Sequence, residues 1–252
     1  MRSLLLLLVG LGAAPAWAQQ SFFNVPSGTR TSDHHVFLQE QLNLTASGES
    51  NFTAATGLGL GFETGFNVFH VDVYGDHVSQ SARNLFMANL VWTSSFSEVL
   101  TLQVGVQGGM GRYEADGRYD VAVLGWALVR YDWHRPRLAG VLGVYGGTPA
   151  HLGAGWPAGP MAALEWTAIP GWLALQADLM FGRHESAVAV VGASLLLKYG
   201  WQLSVGALLP SPLSDNDFGV VVEVTRVPEF DTPPRERRIV PGHVREASPE
   251  EM

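Results

Sequence analysis

Phe218-Gly219-Val220-Val221-Val222-Glu223-Val224-Thr225, near the carboxy-terminal end, decides the reading of the whole chain. Side chains alternate across an extended strand. Phe218, Val220, Val222 and Val224 therefore share one face, and Gly219, Val221, Glu223 and Thr225 share the other. The first face is a continuous apolar stripe and the second is mostly small or polar. A secreted β-sandwich can make such a strand, with the stripe turned to a core. So can a barrel in a bilayer, with the stripe turned to lipid and the other face to a polar interior.

Working outward from this strand, the same alternation recurs. Leu100, Leu102, Val104 and Val106 oppose Thr101, Gln103, Gly105 and Gln107. Leu173, Leu175, Ala177, Leu179 and Phe181 oppose Gln176 and Asp178. Trp201, Leu203, Val205, Ala207 and Leu209 oppose Gln202, Ser204 and Gly206. Strands are expected near 36–45, 51–56, 62–74, 84–93, 100–107, 119–131, 137–145, 161–168, 173–181, 186–198, 201–209 and 218–225. The tenth turns Ala187, Ala189, Val191, Ala193, Leu195 and Leu197 outward. In the first, Glu40 interrupts the apolar stripe of Val36, Leu38, Leu42 and Leu44, by a bulge, an interface position or a parity change. In the third, Phe69, Val71 and Val73 take over the apolar face from Phe62, Phe66 and Val68, which predicts a bulge near Val68. The sixth is apolar on both faces. The expected count is about twelve strands, with ten to fourteen allowed.

The connections sort into two classes. Those after the second, fourth, sixth, eighth and tenth strands are tight; those after the third, fifth, seventh and eleventh are longer and polar. Trp92, Phe96, Tyr131, Trp133, Trp166, Trp172, Tyr199 and Trp201 all flank the tight turns. Amphipathic rings prefer a membrane–water interface, so this set reads as an aromatic girdle at one rim. A soluble sandwich gives no reason for tryptophans at alternate turns. The fold class expected is all-β, an antiparallel transmembrane β-barrel.

Composition narrows the function. The net charge of −8 argues against a nucleic-acid binder, and cysteine is absent from the 252 residues. Residues 1–18 read as a cleaved signal peptide. Arg2 opens it, Leu4 to Leu8 begin its apolar region, and Ala16-Trp17-Ala18 precedes Gln19. Residues 19–35 form an irregular lead, in which Phe22-Phe23-Asn24-Val25-Pro26-Ser27 and Gly28 suggest a short anchor and a turn. Residues 36–227 are the barrel, and 228–252 are a charged, Pro-rich tail expected to be disordered.

Asp217-Phe218-Gly219-Val220-Val221-Val222-Glu223-Val224 also resembles the insertion signal that closes bacterial outer-membrane β-barrels: polar, any, Gly, any, any, hydrophobic, any, hydrophobic. The resemblance implies a Gram-negative outer-membrane location, contact with outer-membrane lipid and lipopolysaccharide, and the barrel assembly machinery as a partner. Family barrels usually end at that strand on an aromatic residue, and here the chain continues. His184-Glu185-Ser186 has a His-x-Ser spacing that resembles outer-membrane phospholipase A, itself a twelve-stranded barrel. The downstream Asn of that family is missing near Lys198, and Arg183 and Ala187 depart from its motif. The expectation is therefore no catalytic residue, no metal and no cofactor. Asp33 with His34-His35, and the acid pairs Asp76-His77 and Asp215/Asp217, lack a metal-site spacing.

The strand parities place Glu63, Asn67, Gln103, Gln107, Glu165, Gln176, Asp178, Gln202 and Glu223 in the lumen, with Lys198 as its clearest cation. Such a lumen favours cations or small polar solutes if water fills it. Three functions follow: a small passive channel for polar or cationic solutes, a closed barrel that displays its loops for binding, and a membrane-embedded hydrolase. Water past Glu165 and Asp178 would favour the first. Crossing pairs there would favour the second.

Overall fold

The computed structural model describes residues 22–71, 73–74, 84–113, 117–133, 135, 137–212, 214 and 216–227. The expected signal peptide, the tail from 228 and the acid pair Asp76-His77 lie outside these residues. Alternating strands form β1 Val36–Leu44, β2 Glu49–Gly59, β3 Phe62–Val71, β4 Asn84–Ser95, β5 Leu100–Arg112 and β6 Tyr119–Trp133. They continue as β7 Leu138–Gly147, β8 Ala158–Ile169, β9 Leu173–Met180, β10 Val188–Leu196, β11 Trp201–Pro210 and β12 Gly219–Arg226. A short helix, α1 Pro149–Leu152, lies between β7 and β8. Each strand pairs antiparallel with its sequence neighbour, and β12 pairs with β1, closing a twelve-stranded barrel. Closure gives every strand two partners and leaves no edge.

The wall obeys the expected two-sided pattern. Phe66, Phe86, Val104, Leu142, Val191, Val205 and Val224 are exposed outside. The tight turns at 60–61, 96–99, 170–172 and 197–200, and the adjoining ends of β6 and β7 at Trp133 and Leu138, all lie at one end, where β1 begins and β12 ends. All eight girdle aromatics sit at that end. Tyr131 and Trp133 stack edge to face, 4.5 Å between centroids. Glu40 stays on the outer face without a bulge, and its carboxylate accepts a hydrogen bond from Ser50 Oγ at 2.8 Å.

Two local readings are corrected. The β3–β4 register runs unbroken from Phe62 to His70, so no bulge occurs at Val68. Phe69 and Val71 therefore face inward, where Phe69 packs against the buried cluster of Leu85, Met87, Ala122 and Ala150. The irregularities fall elsewhere, between Gly57 and Gly59 in β2 and between Thr167 and Ile169 in β8. Ala187 is fully buried in the loop before β10 rather than outward.

The largest departure is the lead. Residues 22–30 do not lie beside the barrel; they run up its lumen from the tight-turn end. Phe22 and Val25 pack with Leu128, Val141, Tyr145, Leu152, Met161 and Met180. Phe23 packs with Val188, Val190, Leu208 and Val221. Gly192 keeps room for that ring, because a Cβ there would lie 2.8 Å from Phe23 Cζ. Helix α1 folds inward from the loop end, burying Ala150 and Leu152. The inner faces of β6–β8 are apolar because they pack against this strap rather than against water.

Phe23→Ala leaves a cavity where the ring packs and is expected to lower unfolding stability by about 3 kcal/mol. Urea titration of the refolded protein measures it, and heat-modifiable gel mobility should show that the barrel itself still closes.

Candidate functional site: a strapped lumen with one open side

An irregular backbone in a lumen must find partners for its amides and carbonyls, since burying them unpaired is costly. The barrel wall supplies them. Asp178 Oδ2 on β9 accepts three consecutive backbone N–H groups, from Phe23 (2.8 Å), Asn24 (2.6 Å) and Val25 (3.1 Å). Arg130 Nη1 on β6 donates to the Ser27 carbonyl at 2.8 Å. Gln103 Nε2 on β5 donates to the Thr29 carbonyl at 2.8 Å, and Glu63 on β3 accepts from the Thr31 N–H at 2.6 Å. At the rim, the Arg30 guanidinium beside Asp33 holds its carboxyl below the usual range.

Beside the strap, the inner wall is stitched to itself. Hydrogen bonds run from Glu165 through Gln176, Ser194 and Ser204 to Glu223, which also accepts from Gln39 and Thr225. These groups span β8 to β12 and β1, and all are buried. Arg130 ends this sector, forking onto Asp132 at 2.7–3.0 Å.

The other side of the lumen, along β1–β6, holds a cavity of about 240 Å³. Its wall carries Gln39, Gln41, Asn43, Asn51, Asn67, Asn89, Gln103 and Gln107, with Asn24 and Thr29 contributed by the strap. Glu49, Glu63 and Glu185 are its carboxylates, and among the described residues its lining includes neither Lys nor Arg. Asn43, Glu49, Ser50 and Asn216, toward the loop end, are part-exposed, whereas Glu63 and Gln103, toward the tight-turn end, are buried.

Nine of the ten lumen candidates are thus buried, but they divide. Glu63, Asn67, Gln103 and Gln107 line the cavity. Glu165, Gln176, Gln202 and Glu223 belong to the stitched wall, and Asp178 holds the strap. Lys198 is a correction: the strand ends at Leu196, the chain turns at Tyr199 (φ 61°), and Lys198 is exposed at the rim. The inward cation is Arg130. Its parity was masked by the apolar residues around it, although Asp120, Arg130 and Asp132 share one face and carry the signal. Asn51, Asn89 and Trp126 were also missed; the parity of Thr53, Val91 and Leu128 would have found them.

The hydrolase pair is not assembled. Ser186 Oγ points to the carbonyls of His151 and Leu152 at 3.4–3.5 Å, while His184 Nε2 is hydrogen-bonded to Tyr145 Oη. Burial pushes the His184 pKa down. His34 and His35 are exposed, and among the described residues no group of three His, Asp or Glu side chains is placed to hold a metal ion. His151 of α1 stacks edge-on against Phe69 and meets Gln107 at 3.4 Å. Burial, reinforced by His184, pushes its pKa down from 6.5 to about 4.

Two outcomes follow. Asp178→Ala leaves three buried amides unpaired and should free the strap, so trypsin should cut after Arg30 at least tenfold faster than in the parent. For His151, the undocked loop takes up a proton below pH 6.5 that the docked loop refuses until about pH 4. Docking of α1 is therefore complete above about 6.5 and weakens as pH falls toward 4. Protection from hydrogen exchange at 148–153, taken relative to the intrinsic rate at each pH, should fall over that window, and His151→Gln should flatten the dependence.

No protein-family model matches the sequence, and no curated protein matches it significantly.

Proposed function

We propose that this chain is a bacterial outer-membrane barrel, exported with a cleaved signal peptide, that passes small neutral or cationic polar solutes along the open side of its lumen. The observation that carries the reading is the cavity beside the strap: lined by amides and carboxylates, with neither Lys nor Arg among the described residues of its lining. Lining carboxylates repel anions and favour cations, while amides exchange hydrogen bonds with neutral polar groups. The apolar outer wall and the aromatic rim support a bilayer setting, because a closed barrel satisfies every backbone group where water is absent. The solute path differs from the one expected at first. It passes Glu49 and Glu63, which line the cavity, not Glu165 and Asp178, which lie outside its lining.

A closed interaction barrel is the second reading, favoured by the buried strap and the inward α1. Single-channel recording of the refolded mature protein separates the two. The channel reading expects small, stable steps with a reversal potential on the cation side in a salt gradient. Glu49→Gln with Glu63→Gln should move that potential toward zero, and Glu165→Gln should leave it in place. Silence from a folded, heat-modifiable barrel contradicts the channel and leaves the closed reading.

A further inference from the structure

We propose that the open side of the lumen is a binding site for one neutral sugar ring, or a polyol of similar size. The inference rests on, and deepens, the reading of that side as the solute path. Its basis is the chemistry of the wall. Asn51, Asn67, Asn89 and Gln107 come from four adjacent strands and face one cavity, and Asn24 reaches it from the strap. An amide offers donors and an acceptor together, as each sugar hydroxyl does. The band is held in place from within: Asn89 Nδ2 donates to Asn67 Oδ1 at 2.9 Å, and Asn67 Nδ2 donates to Thr53 Oγ1 at 2.6 Å.

Part of its capacity is unused. Asn51 Oδ1, Asn89 Oδ1 and His151 Nδ1 are buried in this wall without a hydrogen-bond partner. Buried polar atoms nearly always have one, so two amide acceptors and a ring nitrogen left over around a single cavity point to a ligand rich in hydroxyl groups. The alternatives fit less well. An anion finds no Lys or Arg among the described residues of the lining. A quaternary ammonium is drawn by Glu49 and Glu63 but has no N–H to offer the leftover amide oxygens.

Apolar faces for the C–H side of a ring are also present, in Trp126 and Phe37. Trp126 is fixed: its Nε1 donates to Gln103 Oε1 at 3.1 Å, and its indole lies over Gly105, where a Cβ would come within 2.2 Å of the ring. At about 240 Å³ the cavity falls below the roughly 300–1,000 Å³ that takes a drug-sized ligand, which sets the size at one ring rather than a chain.

Isothermal titration of the refolded full-length protein with glucose, sorbitol, glucuronate and choline tests the site. The expected result is saturable binding of glucose or sorbitol, weaker for glucuronate and choline. Asn51→Leu should weaken it at least tenfold, and Lys198→Gln at the rim should not change it. Asn51→Ser replaces Asn51→Leu if the larger side chain prevents folding, as judged by heat-modifiable mobility. Absence of saturable binding of glucose or sorbitol, a preference for choline or glucuronate, or binding that the Asn51 variants leave unchanged would each overturn the proposal. Liposome swelling by glucose separates this from the channel reading. Swelling without saturable binding removes the site and keeps the path; binding without swelling keeps the site and removes the path.

Discussion

The interior of this barrel depends on a single carboxylate. Asp178 takes three successive backbone N–H groups on one oxygen, and so makes an irregular peptide tolerable inside a closed sheet. A helix or strand would satisfy its own amides, but residues 22–30 are neither, and water cannot reach all of them. Their polar groups must be met by side chains aimed inward from the wall, and those on Asp178, Arg130, Gln103 and Glu63 do so from four different strands. The strap then dictates what its neighbours can be. Where it presents Phe22 and Val25, the wall is Leu128, Val141, Tyr145 and Met161. Where the cavity lies, the wall mixes amides with apolar side chains such as Phe37, Phe69 and Leu124.

This division explains what could be read in the sequence and what could not. The twelve strands were legible because β5, β9, β11 and β12 alternate cleanly between lipid-type and lumen-type residues. The turn classes were legible because aromatics mark one end. The sixth strand looked two-sided because it is: apolar outside for one reason and largely apolar inside because it packs on the strap. Alternation reports the contrast between two environments, and it vanishes where both are apolar. The same effect hid Arg130 and produced the false face switch at Phe69, whose inner environment is the cluster beneath α1. Lys198 failed for a simpler reason. Parity was extended past the last paired residue, into a turn where side chains no longer alternate. No local pattern could have placed the lead, because its position is set by partners 32 to 155 residues away.

The functional consequence is an asymmetric lumen. One sector is filled by the strap and by hydrogen bonds that join Glu165 to Glu223; it resembles a protein core with polar stitching. The opposite sector keeps a cavity whose wall the strap itself completes through Asn24 and Thr29. The lead is therefore more than a plug: it narrows the barrel and shapes the surface that a solute would meet. Polar groups expected to act as one filter divide between tasks: Glu165, Gln176, Asp178 and Glu223 tie the wall and the strap, Asn67 and Gln107 line the cavity, and Glu63 and Gln103 do both.

The placement of the lead is the claim on which the rest stands, and the absence of native cysteine makes it directly testable. Phe23→Cys and Val190→Cys, introduced together, put two thiols in side chains that share one buried cluster. A short thiol-to-thiol cross-linker added to the folded protein should join them within one chain, visible as a shifted band after denaturation. Free reaction of the thiol at position 23 with a bulky water-soluble maleimide, and no intrachain link, would contradict the account.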